Sequence, residues 1–571
     1  MTHRILLLHR LDMAAASLLA SQLLQKGELR EAPVITVLDP VLHTYACING
    51  MPDAQLLQLP GYDDDAPEAA ARALASARLM TGQADELMAE LIPEARGAAW
   101  LTFWLRMLLT TVYACRGMAR ALAKQTVGDT VHLLLPDQPH RYGYHSFMPG
   151  LVINEGLRAA GQSPRLYVNP LPPHDAPMLP DPMTAPVGLA VGILCHIPTC
   201  FADSALFSAE LQASGQAVLV MPSQVYDVVT DPLPRCGLVP SAVLAARLPA
   251  PQRAALDAVL DRLGGVLTQH LGLLVSGAGM VQKQVVALVE AYRMNALLFF
   301  AMQAHFADRP PKTMVLSNHD VGLHGALVSF ARRHRMHTVM VPHAKIFNGV
   351  VASYGHDILC LTHPLQGGEV IDLDGYRMPT GTLDFAKTLQ VAAVPPKPLA
   401  TLGVALNAVS ANAISLVDMH SYLPGLRQLL DWCATQRIEC RIRCRPNGSA
   451  FAMLCTELGL KTEELLAHQA GSMVEYAQGC DLVLCYDIPT SGAFDLLDQG
   501  IPVAQVLCRR LEPEHCRMAD ARVLPRWPVA ETLQQLARFK TDPLALWRFR
   551  HTQICQRARA GEAALPLRAW L

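Results

Sequence analysis

The amino-acid sequence predicts an α/β protein that is built on parallel sheets and divided into two large domains. Short apolar runs alternate with longer amphipathic segments along most of the chain, a pattern typical of βαβ units. At 571 residues the chain is longer than one hydrophobic core can organise, because single cores stop growing near roughly 250–300 residues. Hydrophobic residues make up 51% of the chain and charged residues 17%, a balance that favours well-buried sheets over disorder.

The predicted strands share one feature, which is an apolar run that ends in polar residues. In the first unit, residues 5–8 form a buried strand, residues 12–25 an amphipathic helix and residues 34–38 a second strand. Similar strands are predicted at residues 131–137, 165–170, 188–196, 217–222, 313–320 and 337–343.

Two changes in pattern divide the chain. Long helical periodicity at about 250–308 predicts a helical insertion within an N-terminal domain that spans residues 1–392. The proline-rich stretch at 392–400 is typical of an interdomain linker. We therefore expect a second domain over residues 400–530, followed by helices at 531–571 that cross back onto the first domain.

Charge and cysteine content limit the partners and the compartment. The 47 basic and 49 acidic residues nearly cancel, so no overall field attracts nucleic acid. The 15 cysteines lack paired CxxC spacing, which favours reduced thiols and a cytoplasmic protein. The start of the chain fits a strand and helix better than a signal peptide. Arg106 interrupts the apolar stretch 98–115, which predicts a buried helix, with peripheral contact at the inner face of a membrane as the alternative.

The segment GCDLVLCYDIPTSGAFDLLDQGIPVAQV (479–506) carries the most informative motif. It predicts a strand, a polar turn, and a helix that begins at Gly492. Ligands of open parallel sheets bind beyond the carboxyl ends of strands, and a helix start with the hydroxyls of Thr490 and Ser491 suits a phosphate. Asp495 could accept a hydrogen bond from a ribose hydroxyl. The alternative is that Thr490 or Ser491 is a helix cap and Asp495 compensates the helix dipole.

This segment resembles the donor-side motif of GT-B glycosyltransferases that build bacterial surface polymers, especially the capsule-polysaccharide and CDP-glycerol glycerophosphotransferase relatives. The resemblance implies two Rossmann-like domains that face a cleft, with a nucleotide-sugar donor bound by the second domain. It also implies phosphate binding at the hydroxyls and helix start, and ribose binding at Asp495. The residues that match the family pattern are Asp481, Asp487, Thr490, Ser491, Asp495, Gly500, Pro502 and Val503.

Two further stretches resemble the first domain of the same enzymes. Residues 313–349 match a signature in which one strand ends in Asn-Asp and the next in Gln-His-Gly, and residues 377–386 match a closing strand and turn. This chain carries Asn318, His319 and Asp320 at the first strand end and Pro342, His343 and Ala344 at the second.

The strand at 438–446 is expected to face the donor phosphates. Arg443 and Arg445 could bind them, although Asn447 stands where relatives have histidine or proline. The alternative is that these arginines form the solvated face of an edge strand.

Sugar transfer needs a base for the acceptor hydroxyl, or a group that faces the anomeric centre, and positive charge at the leaving phosphate. The predicted catalytic residues are His343, Asp320, Asp137 and His140, all from the first domain. The predicted acceptor-side residues are His9, His145, His196 and His319. Any single histidine is more often structural, so the prediction rests on several of them following strands.

The sequence therefore predicts a metal-independent glycosyltransferase with a nucleotide-sugar donor, a glycan or glycolipid acceptor and no cofactor. The nucleotide remains open among CMP, CDP, UDP and GDP. No HExxH, P-loop or GxGxxG pattern supports a metalloenzyme, a kinase or a dehydrogenase. A GT-B nucleotide-sugar 2-epimerase and a non-catalytic binding protein with the same fold are the alternatives.

Overall fold

The computed structural model describes most of the chain. The residues outside the description are 1, 60–65, 138–146, 172–176, 197–203, 223–232, 317–322, 342–355, 362, 364–379, 384–394, 407–418, 445–453, 470, 488–491, 509–522 and 563. The described residues form three separate parallel sheets and one two-stranded antiparallel pair.

Sheet I is formed by the N-terminal part of the chain. Its strands run in the order β3-β2-β1-β4-β5, and every neighbouring pair is parallel. The strands are β1 (His3–Leu7), β2 (Val34–Val37), β3 (Gln55–Leu56), β4 (Thr130–Pro136) and β5 (Arg165–Asn169). The helices of this part are α1 (Met13–Gln25), α2 (Pro40–Ile48), α3 (Ala66–Met88), α4 (Thr102–Gln125) and α5 (Met148–Ala159). Strand β4 is almost continuously buried, as expected where both faces of a parallel sheet are covered.

Sheet II follows, with strand order β13-β12-β11-β10-β7-β8, again entirely parallel. Its strands are β7 (Ile193–His196), β8 (Val218–Val220), β10 (Thr313–Leu316), β11 (His337–Met340), β12 (Ile358–Leu361) and β13 (Thr380–Thr382). Strands β6 (Met178–Asp181) and β9 (Gly237–Pro240) form the antiparallel pair. The helices are α6 (Ser204–Ala213), α7 (Ser241–Arg247), α8 (Ala250–Leu274), α9 (Ala278–Phe306) and α10 (His324–His334).

Sheet III has the order β15-β14-β16-β17-β18 and is also parallel throughout. Its strands are β14 (Thr401–Leu406), β15 (Glu439–Arg443), β16 (Leu482–Tyr486), β17 (Val503–Leu507) and β18 (Arg526–Pro528). The helices are α11 (Met419–Thr435), α12 (Thr462–Ala467), α13 (Met473–Ala477), α14 (Gly492–Asp498), α15 (Val529–Thr541) and α16 (Pro543–Gly561).

A helical layer joins sheets I and II. One hydrophobic cluster combines residues of α3, α4, α8, α9 and α10 with Leu135 of sheet I and Leu194 of sheet II. Trp100 lies at its centre, where its indole Nε1 donates a hydrogen bond to Ser329 Oγ at 3.1 Å. Gly325 permits this approach, because a Cβ there would lie 2.3 Å from the Trp100 ring. A rigid aromatic ring cannot yield to such a contact, so α10 requires glycine at this position.

Helix α9 is apolar and long enough to cross a membrane, with a mean hydropathy of 1.5 in its most apolar window between Gly279 and Phe306. It is the one such helix among the residues that the structure describes. In the structure 61% of that window is buried within the protein, against α8, α10 and the other helices of the layer. A mostly buried apolar helix is equally typical of the core of a large domain.

The C-terminal residues cross from sheet III to sheet II. After α16, Leu565 pairs with Leu383, and the carbonyl of Leu571 accepts a hydrogen bond from Thr313 Oγ1 at 3.2 Å. Trp570 packs over Gly381 of β13, where a Cβ would approach its ring to 2.7 Å. The end of the chain therefore covers one face of sheet II and ties it to the domain of sheet III.

The predicted fold class, an α/β protein with Rossmann-like parallel sheets, is confirmed. The structure adds one sheet to the two that were expected, because the segment predicted as one domain over 1–392 contains both sheet I and sheet II. Helices α8 and α9 occupy the segment at 250–308 for which a helical insertion is predicted.

Candidate functional site

The three sheets share one topological feature at their carboxyl edges, where the strands end. In each sheet the first strand lies between two later strands, so that the connections leave it in opposite directions. Ligands of open α/β sheets bind in the crevice that this reversal creates. The crevices lie between β1 and β4 in sheet I, between β7 and β10 in sheet II, and between β14 and β16 in sheet III.

The carboxyl edges of sheets II and III border each other. His363 lies two residues beyond β12 of sheet II, and its ring packs on Phe494 in the first turn of α14 with ring centroids 4.5 Å apart. The same imidazole is hydrogen-bonded through Nε2 to Asp498 Oδ1 at 3.0 Å. Helix α14 follows β16 directly, so the end of a sheet II strand lies against the helix that opens at the donor motif of sheet III.

Asp498 accepts the bond from the other domain and is also held by an ion pair within its own domain. Its Oδ1 also accepts a hydrogen bond from Arg557 Nε of α16 at 2.5 Å, and only 4% of the aspartate side chain is exposed. Burial alone would raise the pKa of Asp498, but His363 and Arg557 outweigh it and hold that pKa below its usual value. The carboxylate therefore stays ionised and fixes the spacing of the two edges.

On the donor side the structure describes Asp487, Gly492 and Asp495, while Thr490 and Ser491 lie outside the described residues. Asp487 follows β16, is 5% exposed and has a φ of +64°, a left-handed conformation that is costly for a residue with a side chain. Its carbonyl accepts a hydrogen bond from Gln505 Nε2 at 2.8 Å. The chain therefore turns sharply at the end of β16, and α14 begins five residues later with Gly492 buried and Asp495 half-buried.

The two arginines predicted to face the donor phosphates differ in what the structure shows. Arg443 ends β15, and its guanidinium donates to the carbonyls of Ser472 and Gly471 at 2.8 Å each. It also lies over the ring of Tyr476. These contacts within the domain favour a structural role, and phosphate binding by Arg443 stays a prediction. Arg445 is outside the described residues.

The acceptor side of the predicted cleft is the carboxyl edge of sheet II. His196 is the last residue of β7 and pairs in register with Leu316, the last residue of β10. The backbone N–H of Val341 donates to the carbonyl of Leu316 at 2.7 Å, so β11 ends beside β10. The predicted residues that follow these two strands, His319, Asp320 and His343, lie outside the described residues.

Two other predicted residues belong to sheet I and not to the edge of sheet II. His9 follows β1, and its Nδ1 accepts a hydrogen bond from the backbone N–H of Leu11 at 3.1 Å. Asp137 follows β4, where its Oδ1 accepts from the N–H of Leu171 at 2.8 Å and its Oδ2 lies 3.4 Å from Lys283 Nζ. His140 and His145 are outside the described residues. The structure thus divides the described residues of this set between two sheets, with His196 in sheet II and with His9 and Asp137 in sheet I.

The edge of sheet I contains a buried acid that the sequence patterns did not single out. Asp12 is fully buried, and its Oδ1 accepts a hydrogen bond from Asn169 Nδ2 at 2.8 Å, while Oδ2 has no hydrogen-bond partner. Burial raises the pKa of Asp12 to about 6, an effect that the bond from Asn169 only partly opposes.

A cavity of about 280 Å³ lies at the opposite edge of sheet III, where the strands begin. Lys397, Asp481, Trp547 and Arg550 are among its lining residues. Asp481 is a residue of the donor motif, yet its carboxylate pairs with Lys397 at 2.5 Å and accepts from the N–H groups of Ala400 and Thr401. This residue stabilises the start of β14 and is not part of the carboxyl edge.

Sequence reasoning missed His363, Asp498 and Arg557, which join the two edges. A signal for His363 was present, because it follows the apolar run of β12 and precedes a proline, as the predicted site histidines follow other strands. The sequence gives no such signal for Asp498 and Arg557, because their role depends on contacts between distant parts of the chain. Within the described part of the chain, no group of three or more His, Cys, Asp or Glu side chains is arranged to hold a metal ion.

Comparison with known proteins gives structural likeness without sequence relatives. No protein-family model and no curated protein matches the sequence. MurG from Acinetobacter baumannii superposes with a TM-score of 0.36 and 12% identity over 66% of this chain and 96% of its own. The lipopolysaccharide outer core galactosyltransferase WaaB superposes with a TM-score of 0.33 and 10% identity, over 65% of this chain and 98% of its own. A UDP-N-acetylglucosamine 2-epimerase superposes with a TM-score of 0.31 and 11% identity, over 66% of this chain and 91% of its own.

At these TM-scores the likeness does not define an activity, so an activity can be inferred only from the geometry of this chain. Sheets II and III supply that geometry. Their carboxyl edges meet at His363 and Phe494, and the C-terminal residues return from the domain of sheet III to sheet II. This is the two-sheet arrangement that the GT-B prediction describes, with sheet I as an addition.

Proposed function

We propose that this protein is a GT-B glycosyltransferase that moves a sugar from a nucleotide-sugar donor to a glycan or glycolipid acceptor in bacterial surface-polysaccharide assembly. The observation that carries the proposal is the contact of His363 with Phe494 and Asp498, which brings the end of β12 against the helix that follows β16. A donor held at sheet III would therefore present its sugar toward sheet II. A cytoplasmic location, with peripheral contact at the inner face of the membrane, is part of this proposal.

The donor is assigned to the carboxyl edge of sheet III. The sharp turn at Asp487 and the helix start at Gly492 support this assignment, because backbone N–H groups and a helix dipole can hold phosphate oxygens without a metal ion. Thr490 and Ser491 would bind the phosphates and Asp495 the ribose. Arg445 would add positive charge opposite the leaving phosphate.

The acceptor is assigned to the carboxyl edge of sheet II. His343, Asp320 and His319 follow two of its neighbouring strands, and His196 ends a third. Asp137 and His9 belong to the sheet I region, so in this proposal they would contact a more distant part of an extended acceptor, and the same role is proposed for His140 and His145.

Thermal unfolding in the presence of CMP, CDP, UDP and GDP tests the donor assignment. A nucleotide that binds only the folded protein, at 100 times its dissociation constant, adds about 2.7 kcal/mol to the free energy of unfolding. We expect one nucleotide to raise the melting temperature of the wild type, and Asp495→Ala to abolish that response. Asp257→Ala on α8, which removes a partly exposed ion pair with Arg293 of α9, is the matched control and should respond as the wild type does.

Turnover then separates the candidate activities. The responsive nucleotide identifies which nucleotide-sugars to incubate with the protein, with and without glycan acceptors. Sugar transfer supports the proposal, whereas free epimerised sugar without an acceptor indicates a 2-epimerase. Binding without turnover across a broad acceptor panel indicates a non-catalytic protein, and absence of any nucleotide response would remove the basis of the proposal.

A further inference from the structure

His196 lies at the carboxyl end of β7, the strand that borders the crevice of sheet II. It is the last residue of β7, which lies between β8 and β10 in the sheet. It pairs in register with Leu316 at the end of β10. Neighbouring strands are about 4.8 Å apart, so the end of β7 lies within one strand spacing of the end of β10. Of the predicted site residues in sheet II, it is the one whose side chain the structure describes.

One hydrogen bond fixes the tautomer of its ring. Nδ1 of His196 lies 2.9 Å from the carbonyl oxygen of Met221, the residue that follows β8. A carbonyl can only accept, so Nδ1 carries the proton of the neutral imidazole and Nε2 carries a lone pair. The histidine is thereby held in the form in which Nε2 can accept a proton.

The surroundings leave that lone pair without a hydrogen-bond partner. His196 is 2% exposed, and Nε2 is buried with no hydrogen-bond partner. Burial lowers the pKa of His196, and the bond to Met221 offsets only part of this effect. No charged side chain of the described residues contributes to that pKa. The ring is therefore neutral at pH 7, and its acceptor atom is buried without a donor, a costly arrangement in a structural histidine.

The other described candidates differ from His196, because their side-chain acceptor atoms already have a partner or because the neutral ring is in the other tautomer. His363 uses Nε2 to contact Asp498, and Asp137 accepts from Leu171 and contacts Lys283. His9 accepts a backbone N–H through Nδ1, which leaves the proton of its neutral ring on Nε2. Among the described side chains, His196 alone combines a strand-end position in sheet II with an orphaned acceptor atom.

We infer that Nε2 of His196 is the general base of the transfer reaction, an inference that rests on the proposed function. Nε2 takes the proton of the acceptor hydroxyl as its oxygen forms a bond to the anomeric carbon. The bond from that carbon to the leaving phosphate oxygen breaks, and its electron pair goes to the nucleotide. The imidazolium later releases the proton to solvent. A single displacement with such a base inverts the anomeric configuration, so the inference also assigns an inverting outcome.

The test is turnover of the donor that the nucleotide screen identifies, measured as release of the nucleotide by wild type and His196→Asn. The asparagine amide can still donate to the carbonyl of Met221 but offers no basic nitrogen. We expect kcat to fall by about 10²- to 10⁴-fold, with KM for the donor and the nucleotide-induced rise in melting temperature unchanged. His132→Asn, which replaces another fully buried histidine inside sheet I, is the matched control and should keep the wild-type rate.

The pH profile adds a readout that a structural role would not move. Since the base must be neutral, the wild-type rate should fall at acid pH, with a pKa below 6.5. His196→Gln is a second variant in case His196→Asn unfolds. It should lose this fall in rate at acid pH. A wild-type acid limb above pH 7, a product that retains the donor configuration, or a folded variant within threefold of the wild-type rate would each overturn the role of His196. A wild type that releases no nucleotide from any donor would overturn the proposed function, and the role of His196 with it.

Discussion

Sheets I and II have related topologies but differ in what lies at their crevices. In sheet I the buried polar group is an acid, Asp12, which keeps one hydrogen bond to Asn169, and the histidine after the first strand is used as an acceptor by the backbone. In sheet II the buried group is a histidine whose free nitrogen is a proton acceptor. Burial favours the neutral form of both groups, but only the histidine is then a base. The same topology therefore provides two chemically different edges.

The two sheets also differ in how they contact the domain of sheet III. Sheet II is attached by the buried hydrogen bond between His363 and Asp498, and by the returning C-terminal residues. The Asp498 carboxylate also forms an ionic contact with Arg557 inside its own domain. From sheet I, Val41 and Tyr45 of α2 join the hydrophobic cluster around sheet III. Apolar contacts are tolerant of small displacements, whereas a buried hydrogen bond requires a narrow range of distance and angle. This difference indicates that the spacing between sheets II and III is the more strictly defined.

The largest expected effect comes from breaking the ionic contact. Asp498→Ala leaves the Arg557 guanidinium buried without its carboxylate, and breaking such a pair typically costs about 3–5 kcal/mol. We expect chemical denaturation to give a free energy of unfolding reduced by this amount, and the nucleotide response to weaken because the two edges lose their spacing.

Val41→Ala provides the matched comparison at the contact of sheet I. It removes two carbon atoms from a fully buried side chain and should cost about 1.5–2 kcal/mol, at roughly 0.8 kcal/mol for each buried methylene. The nucleotide response should be unchanged. Equal loss of nucleotide binding in both variants would show that the two contacts do not differ in the way described.

A smaller effect should distinguish the acid of sheet I. Because the pKa of Asp12 is raised from 3.8 to about 6, its stabilising contribution is complete below about pH 4 and is lost as the pH rises through 6. The shift corresponds to about 2–3 kcal/mol. Asp12→Asn should therefore match the wild type near pH 4 and be the more stable protein near pH 8, as measured by denaturant unfolding at both values.

Asp129 supplies the control of opposite sign on the same sheet. Its carboxylate pairs with Arg4 at 2.6 Å, and although burial opposes the effect, these contacts hold the pKa of Asp129 below its usual value. Asp129→Asn should thus lose stability near pH 8 and match the wild type at low pH. If both variants shifted in the same direction with pH, the assignment of the raised pKa to Asp12 would be wrong.

The sequence predicted the elements better than their grouping. The segments predicted as strands at 131–137 and 313–320 overlap with β4 and β10, because alternation of buried strands and amphipathic helices leaves a periodic signal. The break between sheets I and II leaves none, since β5 and β7 look like any other neighbouring strands in sequence. Whether two strands pair depends on contacts over long separations, such as Thr313 with Ile193, which no local pattern contains.

The candidate site shows the same division between local and distant information. Placement of His196 at a strand end followed from the apolar run before it. The tautomer of His196 could not be predicted in the same way, because it depends on a hydrogen bond to the carbonyl of Met221 at the end of another strand. The contact of His363 with Asp498 joins residues 135 positions apart, and it could be found only in three dimensions.

Hydrogen–deuterium exchange of the protein with and without the responsive nucleotide tests the central claim, that the carboxyl edges of sheets II and III form one site. We predict slower exchange on binding both in peptides that contain the end of β16 and α14 and in peptides that contain the ends of β7 and β12, with peptides from β1 and β4 of sheet I unchanged. Slower exchange confined to sheet III, or located in sheet I, would contradict it.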